Sequence, residues 1–352
     1  MTNNSQETSR DFFRSLPKIE LHRHLEGSLR LSTMLEIARL HDLDLPYRDV
    51  EGFRPLVQVV KGEPYNFENF LAKFTSLRYF YQSPEAIKRV THEAIEDAAS
   101  DNIRYMELRF TPVALTRVQD FPLGEAIDWV IETVEQTSTQ YDIQVRLIAS
   151  VNRHEPLELA EEVIQLAVDR KGRGILAVDL AGDEANFPGE EFAPVFREAQ
   201  QAGMRTSIHA GEWGGPERIT LAVETLGAER IGHGVRVLED RSVTAQMKER
   251  QIAFEVCPTS NQQSGVISEI GKHPLLEMID AGLLTTVNTD DPGISQIDLS
   301  HEYLVCNQQL GISMESLRSL ILNAAEVSFL PEVEKQALIE RFTAELNTHI
   351  PG

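Results

Sequence analysis

The chain has 352 residues, a formal net charge of −22, and 41% hydrophobic and 25% charged residues. This is the composition of a soluble globular protein, and its acidity excludes nucleic acid and anionic membranes as partners, because phosphate contacts need clustered Lys and Arg. The polar stretch 1–14 lacks the apolar core of a signal peptide, and no apolar run approaches the roughly 20 residues of a membrane helix. Two cysteines, Cys257 and Cys306, make no disulfide framework, so a cytoplasmic location is expected.

In chain order, short β-rich runs recur at residues 19–25, 104–110, 144–150, 175–180, 206–210, 230–234, 253–257 and 285–288. Helical periodicity lies between them. Over 83–101, Ser83 serves as N-cap and Pro84 as first helical residue, with Ile87, Val90, Ala94, Ile95 and Ala98 on one face. Over 216–226, Ile219, Ala222, Val223 and Leu226 form a stripe that Gly227 can end. Strands alternating with helices pair in parallel, and eight such units predict an α/β fold, a closed (β/α)₈ TIM barrel, as one domain over 1–352. An open doubly wound sheet would want a glycine-rich phosphate turn, and neither G-x-G-x-x-G nor a P-loop occurs. Residues 30–102 exceed one crossover, so extra helices are expected after the first strand, with a turn-rich 45–65, roofing the site. Residues 313–348 read as two or three further helices outside the barrel.

Six segments end or follow apolar runs and carry metal-hydrolase residue types: His22-Arg23-His24, Asp179-Leu180-Ala181-Gly182, His209-Ala210-Gly211-Glu212, Gly232-His233-Gly234, Cys257-Pro258-Thr259-Ser260-Asn261 and Asn288-Thr289-Asp290-Asp291. Strand alternation points His22 and His24 together, with Leu21, Arg23 and Leu25 facing the other way. Each segment also has a purely structural reading. His209 can be a satisfied core histidine, His233 can sit in a tight glycine loop, and Asp290-Asp291-Pro292-Gly293 is good turn chemistry. Together, His22, His24, His209 and Asp290 offer three nitrogens and one oxygen, leaving room for water on a catalytic Zn²⁺. The fourth strand ends without the lysine that would bridge two metals, so one zinc per chain is expected.

The motifs Leu21-His22-Arg23-His24-Leu25-Glu26-Gly27, Asp179-Leu180-Ala181-Gly182-Asp183-Glu184, His209-Ala210-Gly211-Glu212, Arg230-Ile231-Gly232-His233-Gly234 and Asn288-Thr289-Asp290-Asp291-Pro292 follow one another in an order that resembles the adenosine deaminase family, its bacterial members above all. The resemblance runs from about residue 16 to beyond 303. It implies that His22, His24, His209 and Asp290 hold the zinc, and that Glu212 protonates purine N1. It also implies that His233 and Asp290 position and deprotonate the attacking water, that Asp291 meets N7, and that the Gly182 backbone meets N3. The segment Phe70-Leu71-Ala72-Lys73-Phe74 resembles the family's apolar lid, and as ordinary helix core it would look the same.

The implied partner is a small aminopurine nucleoside, adenosine or 2′-deoxyadenosine; no oligomeric state is implied. One residue departs from the pattern. Glu26 stands where many nucleoside-acting members carry Asp against the sugar 5′-hydroxyl, and Glu also occurs there in the adenine deaminase branch. Adenine and 6-aminodeoxyfutalosine are therefore alternative substrates. A catalytically silent barrel acting as a binding protein would be expected to lack a ligand or Glu212, and all are present. A metal-dependent ester or amide hydrolase would have no use for an acid at a ring nitrogen.

Overall fold

The computed structural model describes residues 9–47 and 49–350; residues 1–8 of the polar stretch 1–14 lie outside it. Among the described residues eight strands form one sheet in the order β1 to β8. They are β1 (Lys18–His24), β2 (Ile103–Phe110), β3 (Gln144–Asn152), β4 (Ile175–Ala181), β5 (Arg205–Ala210), β6 (Arg230–His233), β7 (Ala253–Val256) and β8 (Leu284–Val287). Each falls within two residues of its expected place. All neighbours pair in parallel.

The ring closes just past β8. His24 N–H donates to the Asp290 carbonyl at 2.8 Å, and Asp290 N–H donates to the His22 carbonyl at 2.9 Å, forming the bridge between Arg23 and Asp290. The seam of the barrel therefore runs through the residues that carry its chemistry.

Helices cover the strands through apolar faces. In the helix Pro84–Ser100 the Ser83 hydroxyl accepts from Ala86 N–H at 3.2 Å, and Ile87, Val90, Ala94, Ile95 and Ala98 are all buried. The helix Pro216–Glu224 ends before Gly227, whose φ of 71° only glycine adopts without strain. The insertion after β1 holds Leu31–Leu40, Val50–Val57 and Phe67–Leu77 ahead of Pro84–Ser100. The helix Val50–Val57 falls inside the stretch expected to be turns, where Gly52 and Pro55 look like breakers. Asp49 caps it by accepting from Gly52 N–H at 2.8 Å, and buried Phe53 and Val57 anchor it, so packing outweighs the weak propensity. The C-terminal region holds two helices, Met314–Glu326 and Glu332–His349. No helix of the described residues is long and apolar enough to cross a membrane.

Candidate active site

His22 and His24 project from the end of β1 toward His209 at the end of β5. His24 Nε2 lies 3.2 Å from His209 Nε2 and 3.3 Å from Asp290 Oδ1; His22 Nε2 is also 3.3 Å from Asp290 Oδ1. One ligand atom each from His22, His209, His233 and Asp290 fall within 4.8 Å of one another. Arg23, between the two β1 histidines, turns away and bonds Ser28 Oγ at 3.2 Å.

The donor set fits a metal. Glu255 takes His22 Nδ1 at 2.7 Å, and Asp179 takes His209 Nδ1 at 3.0 Å. With these nitrogens protonated, both Nε2 lone pairs face the cluster. His22 Nε2 is buried with no hydrogen-bond partner, and the ring nitrogens of His24 and His209, 3.2 Å apart, are spaced to share a cation.

Beneath the histidines the barrel interior is ionic. Arg109 donates to Glu255 Oε2 at 2.6 Å, and Arg230 donates to Glu255 Oε1 at 2.6 Å and to Glu107 Oε2 at 2.5 Å. Burial alone would raise the Glu255 carboxyl, but Arg109, Arg230 and His22 hold it well below the usual carboxylate range. Glu255 thus stays an anion and keeps His22 oriented.

Asp290 and His233 are non-glycine residues at φ 64° and 61°, a conformation costing about 1–3 kcal/mol each. Both are held by their neighbours. The barrel seam fixes Asp290, whose Oδ2 also accepts from Ser260 Oγ at 2.7 Å. His233 ends a hydrogen-bonded chain. Leu275 N–H donates to His273 Nδ1 at 3.1 Å, so neutral His273 carries its proton on Nε2, 3.2 Å from Asn261 Oδ1. Asn261 Nδ2 then donates to His233 Nδ1 at 3.1 Å. Neutral His233 therefore keeps its proton on Nε2, 3.7 Å from Glu212 Oε2 and 3.8 Å from Asp290 Oδ2.

Glu212 sits on the loop after β5, and Glu184 shapes that loop. The Glu184 carboxylate accepts from the backbone N–H of Gly211 at 2.6 Å, Glu212 at 3.1 Å, Trp213 at 2.9 Å and Gly214 at 3.0 Å. Burial, reinforced by the charges of Asp290 and Glu184, raises the Glu212 carboxyl well above its ordinary value. The same causes act on Asp291, where burial comes first and Asp290, Glu26 and Glu212 follow. In both carboxyls burial and neighbouring carboxylates favour the protonated form.

These groups line one cavity of about 310 Å³, together with His24, Glu26, Gly182 and His209, a volume at the small end of the small-molecule range. Phe70, Leu71 and Phe74 of the helix Phe67–Leu77 cover it, while Lys73 turns away to Pro55 O and Glu63 Oε2 at 2.6 and 2.9 Å. Gly27 is glycine of necessity, since a Cβ there would lie 1.8 Å from Asp291 Oδ1. Burial raises the Glu26 carboxyl to about 7. Its Oε1 accepts from Thr111 N–H at 2.5 Å, and its Oε2 is buried without a partner.

Residues 17–345 match the family model described as adenosine deaminase. The chain belongs to the adenosine deaminase family. It is 38% identical to an adenosine deaminase of Shigella flexneri serotype 5b (strain 8401) over 94% of this chain and 99% of that one. To an adenosine deaminase of Klebsiella pneumoniae (strain 342) it is 40% identical, over 93% and 98%. Among solved structures, the adenine deaminase of Arthrobacter aurescens superposes with a TM-score of 0.87 at 27% identity, covering 95% of this chain and 100% of that one. Arabidopsis ADAL complexed with IMP does so with a TM-score of 0.86 at 27% identity, over 97% and 100%.

Within this adenosine deaminase family chain, His22, His24, Glu26, Gly182, His209, Glu212, His233, Asp290 and Asp291 surround one point although they run from position 22 to position 291 of the sequence. Cys257, in one of the six segments, is a buried free thiol that does not line the cavity. Residue patterns missed Glu255 and Arg109, the Asn261–His273 chain, and the parts played by Arg230 and Glu184 within quoted motifs.

Proposed function

We propose that this chain hydrolyses the 6-amino group of adenosine and 2′-deoxyadenosine, giving inosine or 2′-deoxyinosine and ammonia. The observation that carries the reading is a buried carboxyl, Glu212, whose burial favours its protonated form, facing a cluster of three histidines and an aspartate across one cavity. The adenosine deaminase relatives of nearly full length support the same activity.

In this reading His22, His24, His209 and Asp290 hold one Zn²⁺ per chain. When bound, zinc supplies a water acidified to a pKa of about 7. Glu212 gives its proton to purine N1, drawing electrons from C6. Asp290 Oδ2 takes a proton from the attacking water as its oxygen bonds C6. His233 Nε2–H donates to that oxygen, so the relay through Asn261 makes His233 a charge-stabilising donor and leaves Asp290 as the base. The C6–N6 bond then breaks. The amine leaves as ammonia with the Asp290 proton, and the hydroxyl proton at C6 returns to Glu212. Protonated Asp291 donates to N7, which only accepts, and Gly182 presents backbone to N3. Glu26 meets the 5′ end of the sugar. We read the chain as one catalytic domain in the cytoplasm, a compartment that leaves Cys257 and Cys306 as free thiols.

A panel of adenosine, 2′-deoxyadenosine and adenine, followed by loss of aminopurine absorbance and ammonia release on metal-replete protein, tests the assignment. Turnover of both nucleosides is expected. Turnover of adenine alone would overturn the nucleoside reading.

A further inference from the structure

We propose that the cavity includes an anion subsite built on Arg78, and that the preferred substrate is a 6-aminopurine nucleoside bearing a phosphate or carboxylate at its 5′ end. The inference rests on the deaminase reading above and extends its substrate class to 5′-anionic nucleosides.

Arg78 begins the short turn Arg78–Phe80 after the covering helix and lines the same cavity as Glu212 and Asp290. Its Nε is buried with no hydrogen-bond partner. Among the described residues, no carboxylate forms an ion pair with it. The neighbouring carboxylates are engaged elsewhere or fall short of it. Glu155 takes Arg117 Nη2 on its two oxygens at 2.7 and 2.8 Å. Asp183 is bonded on both oxygens by Asn186, from N–H at 3.0 Å and Nδ2 at 2.8 Å. Glu26 accepts from Thr111 through Oε1, its Oε2 makes no ion pair with Arg78, and burial raises its carboxyl to about 7; burial also lowers the His154 imidazole. A guanidinium stays charged throughout the working pH range. Arg78 is therefore a half-buried cation whose donors have no acceptor among the described residues, so an arriving anion meets no competing partner.

The position selects the part of the ligand. Arg78 lies within the electrostatic reach of Glu26, the residue assigned to the sugar's 5′ end, whereas Glu212, His233 and Asp290 hold the reacting end. His154, which would touch a Cβ on Gly182, and Asn152 line the cavity beside it. A planar fork of N–H donors matches phosphate or carboxylate and gains less from a neutral 5′-hydroxyl, which offers one uncharged oxygen.

The test compares kcat/KM for adenosine, adenosine 5′-monophosphate and adenosine-5′-carboxylic acid on metal-replete wild type, Arg78→Gln and Arg78→Lys. Wild type is expected to prefer one of the two anions, and the preferred one identifies phosphate or carboxylate as the natural group. Arg78→Gln should lower the anion-to-adenosine ratio by about 10- to 100-fold, the effect of one charged hydrogen-bond partner, and Arg78→Lys should restore part of it. Circular dichroism establishes that each variant is folded; if Arg78→Gln is not, the lysine variant alone must show a reduced ratio. Deamination of adenosine with refusal of both anions, or a ratio unmoved by the substitutions, would overturn the subsite and leave the deaminase reading standing. Absence of ammonia release from every compound would overturn both.

Discussion

Replacing Glu184 with Gln changes one atom and probes how the acid loop is held. In the native loop Oε1 takes one N–H, from Gly211, and Oε2 takes three, from Glu212, Trp213 and Gly214. The amide of Gln keeps most bonds by turning its oxygen to the three and its NH₂ to Gly211. Three charge-assisted bonds become neutral, losing roughly 1 kcal/mol each, and one buried N–H faces another donor at roughly 1–3 kcal/mol. These terms overlap, so Glu184→Gln should cost about 3–5 kcal/mol overall. Denaturant unfolding at fixed metal concentration measures the stability, and kcat for adenosine reports whether Glu212 has moved. Relaxation of the loop should lower kcat more than it raises KM, since Glu212 acts on the reacting ring. A variant as stable and as active as wild type would refute the claim that Glu184 holds the acid in place.

Glu255→Gln should weaken metal binding by about 10- to 100-fold in chelator competition, because the carboxylate that orients His22 is lost; unchanged affinity would remove that role. Asn261→Leu should lower kcat by about 10-fold or more and abolish the single-tautomer ¹⁵N signature of His233, which a merely structural Asn261 would leave intact. His273 is buried and neutral, its pKa lowered by burial from 6.5 to about 3. Between those values the unfolded chain binds the extra proton, so this contribution to stability is complete above about pH 6.5 and is lost as pH falls. From neutrality to about pH 5, wild type should lose about 2 kcal/mol more than His273→Gln; equal losses would contradict the relay's neutral histidine.

The barrel was legible because its strands are apolar runs separated by helices with capped ends. The metal ligands were legible because each terminates such a run, as His22-Arg23-His24 and His209 do. The ionic layer was not. Glu107 and Arg109 alternate with Met106, Leu108 and Phe110 in β2, a pattern that in a single strand reads as a solvent-facing side. Only closure of the barrel turns that side inward, onto Glu255 and Arg230 from strands far along the chain. The His273–Asn261–His233 chain was hidden for a related reason, since loop geometry rather than periodicity decides which amide meets which ring. Glu184 stood inside a recognised motif, yet its function depends on four N–H groups that converge only once the loop after β5 is folded.

The central claim is that a buried, protonated Glu212 drives chemistry at a centre held by other residues. The most direct measurement is ammonia release from adenosine by Glu212→Gln, with metal content determined on the same sample. The variant should keep the wild-type metal content and lose about 10²- to 10⁴-fold in rate, the contribution of a positioned general acid. Release at the wild-type rate from the metal-loaded variant would contradict the account.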